Sequence, residues 1–353
     1  MSVSEPNAGA DAGVGRYVRQ TPWTRFRRYS AANIVVLYGT FLLTLIVVGL
    51  VIPNDFRFLA AGNLGVLFQT IPTLGILALG VGLLMIAGEF DLSVAGVYTL
   101  APYLMGLSMN EWGWPLWAAV LLALFVGLVV GIANGLITTK LVIPSFIATL
   151  GMMFFLRGVV RFFSSDPKSS SSEQVSIYPG ETFEAVLTGN IAGPLYAQFL
   201  WFIFFAVLAY FFLNRHRLGN HFLAVGGNRE AAIAVGVNVN QVKRVGFVIC
   251  SVGAAIAGTI SATRVNAIIP AQTLTGLELQ AIAACVVGGV FLFGGRGTVL
   301  GICLGVALIL TVDNLLILLR APGVYLQGFV GAIVIVAVIA NAWFARRVGG
   351  QQD

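Results

Sequence analysis

Polar residues divide this chain at the scale of whole helices. Apolar runs of about 18 or more residues, each able to cross a bilayer as one helix, alternate with short polar interruptions. They predict about ten spans, at 33–52, 64–87, 92–110, 115–138, 143–163, 195–213, 243–264, 276–293, 297–319 and 324–345. The third and eighth are short, so a broken or partly re-entrant helix is expected there. The predicted fold class is all-α, a polytopic transmembrane helix bundle. The pattern also repeats within itself. "GLVVGIANG" spaces Gly127, Gly131 and Gly135 as "GTVLGICLG" spaces Gly297, Gly301 and Gly305. Small residues every four positions let helix backbones approach closely in a membrane. The two stretches fall in the fourth and ninth spans, which run in opposite directions, as an inverted repeat requires.

Composition strengthens the membrane reading. The chain is 58% hydrophobic and 10% charged, with a mean hydropathy of +0.92, far from soluble averages. No cleaved signal peptide is expected. The first run begins near Ile34, behind a tail holding Glu5 and Asp11, and ends at Pro53 without a small-residue cleavage site. In that tail Arg16, Arg19, Arg25, Arg27 and Arg28 alternate with Tyr17, Trp23, Phe26 and Tyr29, a composition that anchors a span at the headgroups. The net charge of +6 therefore speaks for anionic lipid, not nucleic acid.

Threading with the N-terminus inside places most of the 20 Lys and Arg on the cytoplasmic side, among them Lys140, Arg215, Arg217, Arg229, Lys243, Arg244 and Arg296. The positive-inside rule is then obeyed with both termini cytoplasmic. The expected organisation is a cytoplasmic tail over 1–32, a membrane domain over 33–345 and a second tail over 346–353. Inside the membrane domain, 164–194 is an external loop and 219–240 a cytoplasmic segment. A loop of that length is either a solvated linker or a docking surface for an external partner.

The cytoplasmic segment interrupts two long apolar stretches with "LAVGGNREAAIAVGVNVNQVKR", residues 223–244. Gly226 and Gly227 are expected to break the preceding helix. Asn228 is a good N-cap, and Glu230 in the first turn suits the helix dipole. A helix of about eight residues would follow, stopped by Gly236. So short a helix is marginal alone and needs a surface. Its small exposed face, Ala231, Ala232, Ala234 and Val235, would fit a cleft on another protein. Spacing alone leaves an ordinary connector equally open.

Resemblance separates the two. The stretch "AVGGNREAAIAVGVNVNQVK" resembles the cytoplasmic coupling segment of sugar-uptake ABC transporter permeases, the family of ribose, xylose and arabinose permeases. "GEFDLSVAGV" at 88–97 is similar to that family's "GGIDLSVG" motif, and "VVGGVFLFGGRGTVLG" at 286–301 to its "LFGGRG" segment. The likeness runs in order from about residue 33 to 345. It implies ATPase contact through Gly227, Asn228, Arg229, Glu230, Ala231, Ala232 and Gly236, with a second cytoplasmic contact at Arg296. It also implies a cytoplasmic ATP-binding subunit, an external or periplasmic solute-binding protein, a homodimer and the bacterial inner membrane. Glu89 and Phe90 depart from the motif and add a charge beside Asp91, which is expected to N-cap the third span with Ser93 in its first turn.

Missing chemistry narrows the function further. Lys140, Lys168 and Lys243 are the only lysines, and none closes a G-x-x-x-x-G-K-[ST] loop, so this chain is not expected to hydrolyse ATP. The two histidines, His216 and His221, lack partners at metal spacing, and no metal or cofactor is expected. Carboxylates deep in a span would favour an ion-driven carrier. Here Glu89, Asp91, Glu278 and Asp313 read as lying near membrane edges. A path without a mid-membrane charge suits a neutral, hydroxyl-rich solute, and Gln69, Thr70, Thr73, Thr149, Met153 and Asn314 are its candidate lining. The expected function is the permease subunit of an importer for a neutral monosaccharide or polyol. The alternatives are a related permease for branched-chain amino acids or a signalling furanose, an ion-driven carrier, and a membrane scaffold without transport.

Overall fold

A computed structural model describes residues 32–51, 57–164, 175–176, 180–268 and 276–320, with isolated positions at 328, 331, 332 and 335. The two tails and the tenth span expected over 324–345 lie outside the described residues.

Nine apolar helices follow one another among the described residues: α1 (Ala32–Val51), α2 (Ala61–Ile86), α3 (Val94–Asn110), α4 (Leu116–Lys140), α5 (Ser145–Ser164), α7 (Ala197–Arg215), α10 (Val239–Val265), α11 (Leu277–Val287) and α12 (Val299–Leu318). Three shorter helices are α6 (Glu181–Thr188), α8 (Arg217–Gly227) and α9 (Arg229–Ala234). The result is a polytopic helical bundle, and six of the helices are long and apolar enough to cross a membrane. The two short spans are interrupted as expected. Helix α3 has 17 residues and follows a non-helical break, and α11 has only 11. At 1.5 Å per residue these reach about 26 Å and about 16 Å, short of the roughly 30 Å hydrocarbon core.

Helix α10 is the axis of the packing and lies against α4, α2 and α3. Glycine makes that close approach feasible. A Cβ on Gly131 would stand 2.7 Å from Val248 Cα, and one on Gly127 2.8 Å from Ser251 O. The second stripe serves the same purpose elsewhere, since a Cβ on Gly305 would lie 2.8 Å from Gly288 N beside α11. Helix α4 ends, and α12 begins, at the end of the bundle where α2 stops: Thr139 lines one cavity with Glu89, just past α2, and Gly297 faces Ile86. The two stripes therefore run in opposite directions. Outward faces of α4 and α7, with Leu121, Phe125, Phe204 and Leu208 exposed, present apolar atoms suited to lipid.

The expected external loop is more than a solvated linker. Helix α6 packs on α7 and α10, Trp201 Nε1 donates to Val186 O at 2.9 Å, and Asn266 Nδ2 to Glu184 Oε1 at 3.3 Å. Strands β1 (Val175–Ser176) and β4 (Ala267–Ile268) pair antiparallel, and β2 (Asn190–Ala192) pairs with β3 (Leu195–Tyr196).

Candidate functional site

Helix α2 stops at a break over residues 87–93. Gly88 turns the chain there at φ +84°, a conformation that glycine adopts without steric cost. Three residues later stands Asp91, at 0% exposure. Its carboxylate accepts from Ser93 N at 2.8 Å, Ser93 Oγ at 2.6 Å, Asn134 Nδ2 at 3.4 Å and Ser251 Oγ at 3.4 Å. The expected N-cap role is corrected. Ser93 occupies the cap position of α3, and Asp91 ties the break to α4 and α10 instead. The close packing of α4 on α10 encloses Asp91. Burial raises its carboxyl above the usual range, and the bonds from Ser93, Asn134 and Ser251 oppose that rise.

The same break is stitched to α5, where Ser145 Oγ accepts from Phe90 N at 3.2 Å and Thr149 Oγ1 from Leu92 N at 3.1 Å. Glu89, one of the two departures from the sequence motif, forms an ion pair with Lys243 in the second turn of α10. Next to it Arg244 Nε donates to Thr139 Oγ1 at 2.8 Å.

The interruption over 217–236 folds as two helices. Helix α8 continues through Gly226 and Gly227, where a break was expected. The chain turns one residue later, at Asn228, which is extended at φ −153° and ψ 106°. Helix α9 then has six residues rather than eight. Asn228 does cap it, with Oδ1 accepting from Ala231 N at 2.9 Å, and Gly236 ends it at φ +84°. Ala231, Ala234 and Val235 are exposed as expected, with Ile233. Ala232 is not: it is buried against the bundle, because a six-residue helix must anchor one face.

Glycines explain why the two helices sit here. Gly295 N donates to Ile86 O at 2.8 Å, and a Cβ on Gly294 would stand 2.8 Å from Gly88 Cα and 2.9 Å from Gly226 Cα. Three segments far apart in sequence thus meet backbone to backbone at one end of the bundle: the α2–α3 break, the end of α8, and the 291–296 turn. Arg296 is exposed on that turn, whose carbonyl accepts from Phe291 N at 2.9 Å.

The six candidate path residues do not converge. Thr149 lies at the glycine-rich end, bonded to Leu92, with Met153 one turn along α5 and buried. Asn314 lies at the other end, in a reciprocal amide pair with Asn63 at 2.8 and 3.0 Å. Gln69 O accepts from Gln198 Nε2 at 2.9 Å, Thr70 bonds Val66 O and Thr73 bonds Thr70 O. Sequence reasoning missed Asn134, Ser251 and Lys243. Asn134 carries a signal, a lone amide in an apolar run. The fit of Ser251 and Lys243 is visible only in three dimensions.

Comparison with known proteins follows from this geometry. The model of a family described as "Branched-chain amino acid transport system / permease component" matches residues 63–339. The chain is similar to the autoinducer 2 import system permease protein LsrC of Enterobacter sp. (strain 638), 33% identical over 305 residues, covering 85% of this chain and 84% of that relative. It is similar to the protein of the same name from Salmonella paratyphi B (strain ATCC BAA-1250 / SPB7), 32% identical over 291 residues, 81% of this chain and 79% of the relative. It is also similar to that of Photorhabdus luminescens, 30% identical over 295 residues, 82% and 85% respectively. No solved structure matches the chain at a significant level.

Proposed function

This chain belongs to the branched-chain amino acid transport system permease family, and on that premise we propose that it is the permease subunit of a binding-protein-dependent ABC importer for a neutral monosaccharide or polyol. It spans the bacterial inner membrane many times. An ATP-binding subunit and a solute-binding protein are its partners. The permease domain covers 33–345, both termini are cytoplasmic, and the working form is a homodimer. This chain has no nucleotide-hydrolysing site of its own.

One observation carries the coupling reading: α9, exposed and small-faced, follows directly on α8, and the end of α8 meets the α2–α3 break through Gly226, Gly294 and Gly88. Load applied to α9 by an ATP-binding subunit passes by backbone contact to the break and, through Asp91, to α4 and α10. The docking surface comprises Gly227, Asn228, Arg229, Glu230, Ala231 and Gly236, with Ala232 as its inward anchor and Arg296 as a second contact. The five polar candidates above, with Met153, remain the proposed lining. Among the described residues, Arg157 and Glu278 neutralise one another at 3.2 Å, which suits an uncharged solute.

A second reading rests on the names of the relatives: the solute is autoinducer 2. Reconstitution in proteoliposomes with an ATP-binding subunit and a solute-binding protein separates the two. Labelled ribose, xylose and glycerol are offered beside autoinducer 2 and leucine. Uptake of a neutral sugar or polyol is expected. Preference for autoinducer 2 selects the second reading, and preference for leucine overturns both.

A further inference from the structure

Beside α9 opens a cavity of ≈ 350 Å³, lined among others by Glu89, Thr138, Ser145, Arg229, Asn240 and Lys243. Its charged residues are Glu89, Arg229 and Lys243. Glu89 is already engaged by Lys243, while Arg229 joins none of the ion pairs found among the described residues. The cavity therefore holds one positive charge in excess. A second observation is independent of charge. Thr138 is only 7% exposed, and its buried hydroxyl has no hydrogen-bond partner among the described residues. A buried hydroxyl left unpaired is costly. An oxygen acceptor placed between Thr138 and Arg229 would satisfy both.

The rim identifies the source of that acceptor. Val142 lines the cavity and is exposed, as are its neighbour Leu141 and, on the helix that brings Arg229 to the cavity and just past its end, Ile233 and Val235. A lipid headgroup would match the charge and leave those side chains in water. A protein surface covers both, with apolar residues enclosing a desolvated charged contact. We propose that the cavity receives one carboxylate side chain, Asp or Glu, of the cytoplasmic ATP-binding subunit. Arg229 and the Thr138 hydroxyl hold it, and Lys243, fixed by Glu89, lends its charge from the wall. The proposal rests on the coupling reading above and adds the chemistry of the contact.

The test uses the ATP-binding subunit that restores uptake in the reconstitution. Arg229→Lys sets a primary amine at the cavity. A water-soluble carbodiimide then condenses that amine with a carboxylate in direct contact, forming an amide while the carbodiimide takes up the water as its urea. The wild-type protein gives the background, because Lys243 already faces Glu89. In parallel, Ile233→Cys carrying a benzophenone maleimide reports whether α9 docks at all. The expected result is capture from both positions, with the amide on an Asp or Glu of the subunit. Thr138→Val should weaken binding of the subunit about tenfold in phosphatidylcholine nanodiscs, the scale of one hydrogen bond to a charged group. Capture at Ile233 alone overturns the carboxylate and leaves docking intact. Capture at neither removes the coupling reading, and this proposal with it. Binding that ignores Thr138→Val but requires phosphatidylglycerol would place a lipid headgroup in the cavity instead.

Discussion

Asp91 organises four donors drawn from three elements, of which Asn134 Nδ2 also donates to Ser93 Oγ at 2.8 Å. Asp91→Asn keeps the volume and turns one accepting oxygen into a donor that faces donors. An unsatisfied buried group costs about 1–3 kcal/mol, so the melting temperature of the purified protein should fall measurably; an unchanged value would remove Asp91 as the organiser of the break. The Glu89–Lys243 pair is largely buried, where removing one partner leaves an uncompensated charge. The single variants Glu89→Gln and Lys243→Met should each destabilise more than the pair of changes made together. Additive effects in that double-mutant cycle would mean that the two charges do not interact. The "DLS" stretch was legible through its resemblance to a family motif, while its residues alone suggested an N-cap at Asp91, where the cap is Ser93. Its partners were not: Asn134 stands 43 positions away and Ser251 160, and only the packing of α4 on α10 brings them to it.

Among elements, most of the described spans were read nearly to their ends, because a bilayer sets both the length and the composition of whatever crosses it, though the helix of the eighth, expected over 276–293, stops at Val287. The seventh span, expected over 243–264, is the informative miss: α10 starts at Val239. Its first turn is polar, capped by Asn238 Oδ1, which accepts from Gln241 N at 3.0 Å. Hydropathy finds where a helix enters lipid and says nothing of how far it continues into water. Helices α6 and α8 were missed for the same reason, since both are short and lie outside the hydrocarbon. The cap at Asn228 was legible, and it carries a prediction at this scale. Losing an N-cap costs about 1 kcal/mol, and a helix of six residues has little cooperativity to absorb it. Asn228→Ala should therefore reduce ATP-driven uptake severalfold while the melting temperature of the bundle stays unchanged. Equal loss of both would make α9 a structural strut instead of a docking element.

At the scale of the molecule, the charge distribution predicts an orientation and also bears on what can drive the chain. Glu181, at the start of α6, and Gln241, in the first turn of α10, are both exposed. The native cysteines lie in membrane-directed helices and are buried or half-buried, so an impermeant maleimide should report only introduced sites. Glu181→Cys should label from outside intact cells and Gln241→Cys only after the membrane is opened. Labelling of both from outside would overturn the orientation. A harder question is where the energy enters. An unpaired charge at the bilayer centre costs at least about 2.5–3.5 kcal/mol, so proteins driven by ions keep carboxylates there for a purpose. In this bundle Glu278 is paired with Arg157, Asp313 accepts from Gln280 at 3.1 Å, and Asp91 is enclosed by donors. Each is held in place by its neighbours: Glu278 opens α11, Asp313 lies in the last third of α12, and Asp91, in the α2–α3 break, is enclosed by donors. The contacts among the α2–α3 break, the end of α8 and the 291–296 turn lie directly beside α9, and on the proposed orientation that end faces the cytoplasm. Uptake should therefore continue when an uncoupler collapses the proton gradient, provided internal ATP is clamped in vesicles, and should stop when ATP is exhausted under a maintained gradient. Transport that follows the gradient and ignores ATP would return the chain to the ion-driven class, and would leave the junction of Gly88, Gly226 and Gly294 without a task.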